Sequence, residues 1–191
     1  MRKKRAIRRL VRGLGTRHAL LAEDETDLLL FPPLRAGWAL RGRPAEVPLS
    51  GRNARRVVFG ALNLRTGYRL LLDREHQRAG DFQAFLRFVR SYYRGWHVVL
   101  LLDEDPSHTA AGSVRLAAEL GVRLVWLPKR CPELNPLDHL WGHAKEAMCG
   151  NRQDATIDLL VERFLEYLDG LSRWEALTKA GTLSKDFWLR V

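Results

Sequence analysis

The sequence predicts an α/β fold in which helices flank a mixed sheet with a β-hairpin at its edge, and three observations support this. The segment 96–103, WHVVLLLD, is an apolar run that ends in an acid and is typical of a central strand buried on both faces. Two β-rich runs, 56–62 and 68–72, flank a polar turn and indicate the hairpin. Helical segments follow the later strands, as in an α/β sheet, and a length of 191 residues suits one domain.

The amino terminus, residues 1–17, is predicted to form a basic lead-in helix ahead of the sheet. Four apolar residues fall at helical spacing: Ile7, Leu10, Val11 and Leu14. No acid precedes Glu23, so the remaining face of this helix is positive and suited to contact phosphates. An Arg-rich targeting segment is the alternative interpretation.

The other elements are predicted in chain order. A short strand at 18–26 ends in acids, and prolines with glycines predict a loop over 27–48. Helices are predicted at 79–95, 109–121, 135–148 and 156–168, with a buried strand at 122–128. One face of the first of these helices is apolar: Phe82, Phe85, Leu86, Val89 and Tyr93. We expect the first strand and the two later ones to lie parallel at the sheet centre.

The composition indicates a polyanionic partner. Lys and Arg total 32 against 22 Asp and Glu, a net charge of +10, which favours nucleic acid first and an anionic membrane surface second. The longest aliphatic run is far shorter than the roughly 20 residues that span a bilayer. Two cysteines, Cys131 and Cys149, form no disulfide framework and suit a reducing cytosol. We therefore expect a cytoplasmic protein, associated with the nucleoid if the host is bacterial.

Three acids are placed to share one site. Asp24 and Asp103 follow central strands, and Asp138 follows the strand at 122–128 and its proline-bearing loop. The carboxyl ends of neighbouring parallel strands meet at one edge of a sheet, so the three side chains can converge. Three close carboxylates repel one another unless cations lie among them. Two Mg²⁺ or Mn²⁺ ions suit such oxygen ligands and act on phosphorus.

Each of these acids also has a structural interpretation. Asp24 can be a solvated acid at a strand end. Asp138 can belong to a capping pattern with Asn135 as N-cap and Pro136 at the first helical position. Asp103 is harder to explain this way, because an acid beside so apolar a strand is costly unless it is paired or bound to metal.

Six segments, in order along residues 18–150, resemble those of one protein family. The chain is similar to the catalytic domain of mariner-superfamily DDE/D transposases, particularly their bacterial insertion-sequence branch. Asp103 and Asp138 are separated by 34 residues, the spacing that the family shows, and the third position is aspartate as in mariner members. The segments are AEDET, GW at 37–38, RRVVFGALNLRTG, GDFQAFLRFV, LLLDEDPSH and LPKRCPELNPLDHLW.

The resemblance implies a ribonuclease H-like, retroviral-integrase-like fold for residues 18–191, with Asp24, Asp103 and Asp138 as the catalytic, metal-binding triad. It implies a metal-dependent DNA endonuclease and strand transferase that cleaves transposon ends and joins the freed 3′ hydroxyl to target DNA. The target is expected at TA, a step that is also easily deformed. Double-stranded DNA is then the partner, and we expect a homodimer on DNA because two ends must be paired.

The sequence departs from the family at two places. Members usually have asparagine directly after the second aspartate, where this chain has Glu104 followed by Asp105. If the strand continues, alternation places Asp103 and Asp105 on one face and Glu104 on the other. Family members also begin with helix-turn-helix modules, which the 17 residues ahead of the first strand do not supply. A separate helix-turn-helix polypeptide would then recognise the DNA ends.

Further residues are candidates for supporting roles. Glu25, Asp105 and His108 can support the site, and a structural role fits His108 equally well. Trp38 can stack on an unpaired base or belong to the core or an interface. The basic candidates for phosphate contacts are Arg52, Arg55, Arg56, Lys129, Arg130 and Lys145.

Two other functions are compatible with the same sequence. A catalytically inactive, domesticated or truncated relative would keep the basic surface and bind DNA without cutting it, and Glu104 favours that hypothesis. A structure-directed nuclease or resolvase on the same fold would prefer branched or RNA-containing substrates.

Overall fold

Five strands form one mixed sheet in the order β3-β2-β1-β4-β5 in a computed structural model that describes residues 2–43 and 46–189. The central strand β1 pairs antiparallel with β2 and parallel with β4, so it joins a hairpin half to a parallel half. The strands are β1 His18–Leu29, β2 Arg55–Asn63, β3 Arg69–Arg74, β4 His97–Leu102 and β5 Val122–Trp126.

In the described ranges, seven α-helices surround the sheet. They are α1 Arg2–Arg12, α2 Ala79–Tyr92, α3 Pro106–Thr109, α4 Ala111–Glu119, α5 Pro136–Met148, α6 Ile157–Gly170 and α7 Arg173–Lys179, and a 3₁₀ turn spans Pro132–Leu134. Within the described ranges, no helix has both the length and the apolar character needed to cross a bilayer.

Alternation along the strands divides the core into two layers. Leu20 and Ala22 of β1 face one layer, which contains α1, α5, α6 and α7, whereas Ala19 and Leu21 face the other, which contains α2 and α4. The side of β1 on which a residue lies therefore decides which helices it meets. This division places the acids around Asp24, as described below.

The predicted α/β fold with a hairpin edge is confirmed, and so are the five predicted apolar positions of α2, all of which are buried. Four details differ. Strand β1 continues to Leu29, because residues 26–29 still pair with β2. The helix predicted at 109–121 is α4, the short helix α3 lies ahead of it, and neither α3 nor α7 was predicted. Strand β5, predicted to be buried, is an edge strand, and from Leu124 onward its side chains are only partly covered.

Some residues within the predicted segments lie outside the described residues: Met1, Pro44, Ala45, Arg190 and Val191.

Candidate metal centre

Sheet register brings Asp24 and Asp103 together. Strands β1 and β4 are parallel, with Ala22 opposite Leu101, and extending that register by two residues places Asp24 beside Asp103. Asp24 shares the alternation of Ala22, which faces the layer that contains α5. Asp103 directly follows the last residue of β4, so the central pair of the predicted triad lies where the β1–β4 pairing ends.

Asn135 connects the third acid to the same strand. Its side chain caps α5, accepting a hydrogen bond from the Leu137 amide at 3.2 Å, and donates another from Nδ2 to the Glu23 carbonyl oxygen at 2.8 Å. The start of α5 is thus fixed to β1 next to Asp24. Asp138 lies in the first turn of this helix and is exposed. Asn135 was predicted only as a helix cap, and its bond to β1 is a second function that the sequence did not indicate.

Gly60 lets α5 approach the sheet at the level of Asp24. It lies opposite Asp24 in the β1–β2 register, and the space that a Cβ atom would take is filled by the Trp141 ring, whose nearest atoms would be 2.5 and 2.6 Å away. Trp141 lies one helical turn beyond Asp138 and is buried. A larger residue at position 60 would push α5, and Asp138 with it, away from β1.

The three acids line one cavity of about 340 Å³. Asp24 is partly buried, whereas Asp103 and Asp138 are exposed. Burial, together with the like charges of Glu25, Asp103 and Asp138, raises the pKa of Asp24 to about 8. The cavity therefore concentrates negative charge that a cation would stabilise. Its other lining residues are Glu104, Asp105, Leu127, Pro128, Lys129, Arg130, Cys131, Pro132 and Asn135.

His108 lies behind this cavity and joins the two acidic strands. Its Nδ1 is 3.0 Å from Asp103 Oδ1, and its Nε2 is 2.8 Å from Glu25 Oε1 and 3.7 Å from Glu23 Oε2. Because both ring nitrogens face carboxylate oxygens, the arrangement favours a ring that carries both protons, the imidazolium. Burial opposes that charge, but the Glu23 carboxylate and the hydrogen bonds to Asp103 and Glu25 outweigh it and raise the pKa of His108 to about 12.

Glu23 is the residue of this cluster that sequence reasoning missed. It is fully buried, and neither carboxylate oxygen has a hydrogen-bond partner in the part of the chain that the structure describes. Burial and the neighbouring Glu25 raise its pKa well above the ordinary value. The signal was available, because alternation along β1 places Glu23 and Glu25 on the face opposite to Asp24.

The two acidic groups differ in compactness. Among the described residues, Glu23, Glu25 and His108 form the group whose donor atoms all lie within 4.8 Å of one another, and the triad is more open. The compact group is held by the charge of His108; Glu23 and His108 are buried, and Glu25 is partly buried. The open group has exposed oxygens: Asp103 is bound through Oδ1, by His108 and by the Asp105 amide at 3.0 Å, and its side chain is 63% exposed. The accessible candidate for a metal is therefore the triad.

The residues that depart from the family after Asp103 have clear partners. Strand β4 ends at Leu102, so the predicted alternation of residues 103–105 does not occur. Asp105 caps α3, accepting hydrogen bonds from the Ser107 amide at 2.8 Å and hydroxyl at 2.6 Å. Glu104 is paired with Lys3 at 2.6 Å and Lys129 at 3.1 Å, which lower its pKa. Its charge is thus neutralised at the rim of the cavity.

The predicted basic residues fall into two groups. Lys129 and Arg130 line the carboxylate cavity, and Lys145 lines a neighbouring cavity of about 620 Å³ that also includes Asp138. By contrast, Arg55 pairs with Asp27, and Arg56 pairs with Asp73 and Asp158, while Arg52 is exposed. Trp38 is fully exposed on the connection between β1 and β2, so it is not a core residue.

The five-stranded mixed sheet with flanking helices has the fold of a ribonuclease H-like domain. The family described as DDE superfamily endonuclease matches residues 19–160, and the chain belongs to that family. The resemblance predicted from the six segments is therefore confirmed.

Individual relatives agree with this assignment. An insertion element IS630 protein of 39 kDa from Shigella sonnei is 24% identical over 169 residues, covering 87% of this chain and 49% of the relative. The Mos1 transposase paired-end complex with left transposon end is similar with a TM-score of 0.73 and 16% identity, over 97% of this chain and 58% of that one. The Mos1 mariner paired-end complex with Mg has a TM-score of 0.75 and 18% identity, over 98% and 58%. The chain thus spans about half the length of these relatives.

Proposed function

We propose that this chain is the catalytic domain of a transposase, which cleaves DNA at the ends of a mobile element and transfers the freed 3′ end into target DNA. One observation carries the proposal: in a member of the DDE endonuclease family, acids from β1, from the end of β4 and from the start of α5 line a single accessible cavity. The carboxylate cavity and the neighbouring cavity of about 620 Å³ share Asp138, so a DNA strand could pass across the acids.

Asp24, Asp103 and Asp138 would hold divalent metal, and the donor set fits Mg²⁺ or Mn²⁺. All three ligands offer carboxylate oxygens, which these hard cations prefer. The raised pKa of Asp24 fits as well: burial and the negative charges around it disfavour its ionised carboxylate, which a bound cation would stabilise. The similar Mos1 paired-end complex is a complex with Mg. We propose two ions per site, which when bound would activate an attacking oxygen and stabilise the leaving oxygen at phosphorus.

The chain's own residues position the acids and attract the substrate. The imidazolium of His108 holds Asp103 in place from the protein side, which leaves its exposed oxygen facing the cavity. Asn135 fixes Asp138 relative to β1. Lys129 and Arg130 carry positive charge at the cavity rim and would contact phosphates. No side chain is assigned as a dedicated base, because water and then a DNA 3′ oxygen would be the nucleophiles.

The remaining expectations are part of the same proposal. Double-stranded DNA, as transposon ends and as a TA target, would be the substrate, and a homodimer would pair two ends. A separate helix-turn-helix polypeptide is proposed to recognise end sequences. Action in the cytoplasm, on nucleoid DNA in a bacterial host, agrees with the free thiols of Cys131 and Cys149.

The test is Mg²⁺-dependent nicking of supercoiled plasmid by the purified chain. We expect nicking that EDTA abolishes and that Asp103→Ala reduces by several orders of magnitude, while His76→Ala, at an exposed position, leaves it unchanged. Binding of DNA without nicking by either the parent chain or Asp103→Ala would favour the inactive DNA-binding relative. Preferential cutting of branched or RNA-containing substrates would favour the nuclease or resolvase hypothesis.

A further inference from the structure

Helix α1 carries an unusual concentration of positive charge. Of its eleven residues seven are Lys or Arg and none is acidic. Like charges four residues apart on a helix repel, here in pairs such as Arg5 and Arg9, and no acid within the helix offsets this. Ile7 and Val11 are buried in the core and anchor the helix. An anchored helix that retains this self-repulsion is suited to a polyanion.

A groove of about 920 Å³ runs between α1 and the edge strand β5. Three arginines of α1, at positions 2, 5 and 9, line one side, and Arg123 of β5 lines the other. None of these four forms an ion pair within the described ranges. The apolar part of its lining includes Leu10, Leu14 and Val125, which pack against the same core layer as α1. The groove therefore presents unpaired cations on both of its walls.

The groove meets the carboxylate cavity at one ion-paired cluster. Lys3 lines the groove and contacts Glu104 Oε1 at 2.6 Å, and Glu104 lines the cavity. Lys129, from the loop after β5, contacts the other oxygen of Glu104 at 3.1 Å. Two ammonium groups from distant segments thus already hold one anionic group at the junction, which shows that an anion is accommodated there.

We propose that the groove between α1 and β5 is a binding track for the phosphate backbone of double-stranded DNA that extends from the carboxylate cavity. The proposal rests on the proposed function, because it assigns a path for the DNA on which that cavity acts. An α1 of this length spans about 16 Å, the reach of about five phosphates along one strand. The three groove-facing arginines would neutralise about three of them.

An anionic membrane fits this helix less well than DNA does. A membrane-bound amphipathic helix inserts its apolar face among the lipids. In α1 that face is occupied, since Ile7 and Val11 are only 4% exposed and pack in the core. Because α1 has positive charge and no free apolar face, we expect it to bind through contacts with phosphates.

The test compares two triple variants with the same change in net charge. The first combines Arg2→Gln, Arg5→Gln and Arg9→Gln in the groove. The control combines Arg87→Gln, Arg94→Gln and Arg115→Gln, which are exposed in or beside α2 and α4. Glutamine is nearly as good a helix former as arginine, so α1 should persist, and circular dichroism with thermal unfolding checks this.

Affinity for a labelled duplex is measured by fluorescence anisotropy in EDTA, across salt concentrations of about 50 to 200 mM. We expect the groove variant to bind at least about tenfold more weakly and its salt slope to decrease by about 2 to 3, near 0.9 for each lost phosphate contact. The control should bind within a few-fold of the parent chain. Equal weakening of both variants, or none in the groove variant, would overturn the proposal.

The binding assay in EDTA needs neither metal nor cleavage, so its result is independent of the nicking test. If the chain binds DNA through the groove but does not nick plasmid, the binding track is supported and the proposed catalytic function is refuted. If the chain nicks plasmid but binds DNA equally well without the groove arginines, the catalytic function is supported and the track is refuted. Anionic lipid vesicles serve as a further probe. If the chain binds them and has no affinity for duplex DNA, the proposed track is refuted.

Discussion

Replacing Gly60 with alanine should damage both stability and catalysis through one contact. The backbone at Gly60 is not in the left-handed region, so alanine can adopt it, and the only conflict is steric. An added Cβ would lie 2.5 and 2.6 Å from Trp141 ring atoms, whereas carbon atoms prefer about 3.5 to 4.0 Å. The ring, and α5 with it, must therefore move by about 1 Å.

The magnitude follows from that displacement. Overpacking of a tight core contact costs roughly 1 to 3 kcal/mol, so the free energy of unfolding should fall by that amount. Because Asp138 lies one turn from Trp141 on α5, its carboxylate should move away from Asp24, and a misplacement of about 1 Å can reduce a rate by on the order of 10². Urea denaturation measures the first effect, and plasmid nicking in Mg²⁺ measures the second.

Two further variants make this prediction specific. Gly80→Ala, in α2, places its Cβ where no atom lies within 4 Å, and it should leave nicking unchanged. Trp141→Phe removes the clashing ring atoms, and it breaks no hydrogen bond among the described residues, since the indole nitrogen has no partner there. In the double variant Gly60→Ala with Trp141→Phe, nicking should recover relative to Gly60→Ala alone. Wild-type stability and activity in Gly60→Ala, or strictly additive losses in the double variant, would refute the reasoning.

Three other predictions concern the charged groups. Since the pKa of Asp24 is raised from 3.8 to about 8, the metal-free protein takes up a proton on folding and should lose stability as pH rises from about 4 to 8. Mg²⁺ should accordingly raise the melting temperature more at about pH 8.5 than at pH 6, and Asp24→Asn should reduce that difference; a pH-independent shift would contradict this. His108→Ala should cost roughly 3 to 5 kcal/mol in urea denaturation by leaving buried carboxylates unpaired, against about 0.5 or less for exposed His76→Ala, and equal losses would disprove the network. Glu104→Asn frees Lys3 and Lys129 for phosphates and should tighten duplex binding several-fold in anisotropy measurements, whereas weaker binding would show that the ion pairs support the rim.

The parts of the fold that follow from local pattern were predictable. The apolar run of β4, the hairpin and the apolar face of α2 each depend on side chains close in sequence, and all three were correct. The edge position of β5 was not, because a short, mostly apolar segment such as VRLVW looks the same in a central and an edge strand. Its exposure depends on the sheet order, which is a long-range property.

The site was predictable as a set of acids but not as an arrangement. Acids that follow apolar runs single out Asp24 and Asp103, and the cavity includes both, although Asp24 lies within β1 and not at its end as predicted. The hydrogen bond from Asn135 to β1 and the pairing of Glu104 with Lys3 join segments about a hundred residues apart. No local pattern carries that information, so the support of Asp138 and the neutralisation of Glu104 emerged only from the structure.

The most direct test of the central claim is to locate Mn²⁺ in crystals of the protein by its anomalous scattering. We expect bound Mn²⁺ among the carboxylates of Asp24, Asp103 and Asp138, and loss of that signal in Asp103→Asn. Manganese bound only at Glu23, Glu25 and His108, or none at the triad at saturating concentration, would contradict it.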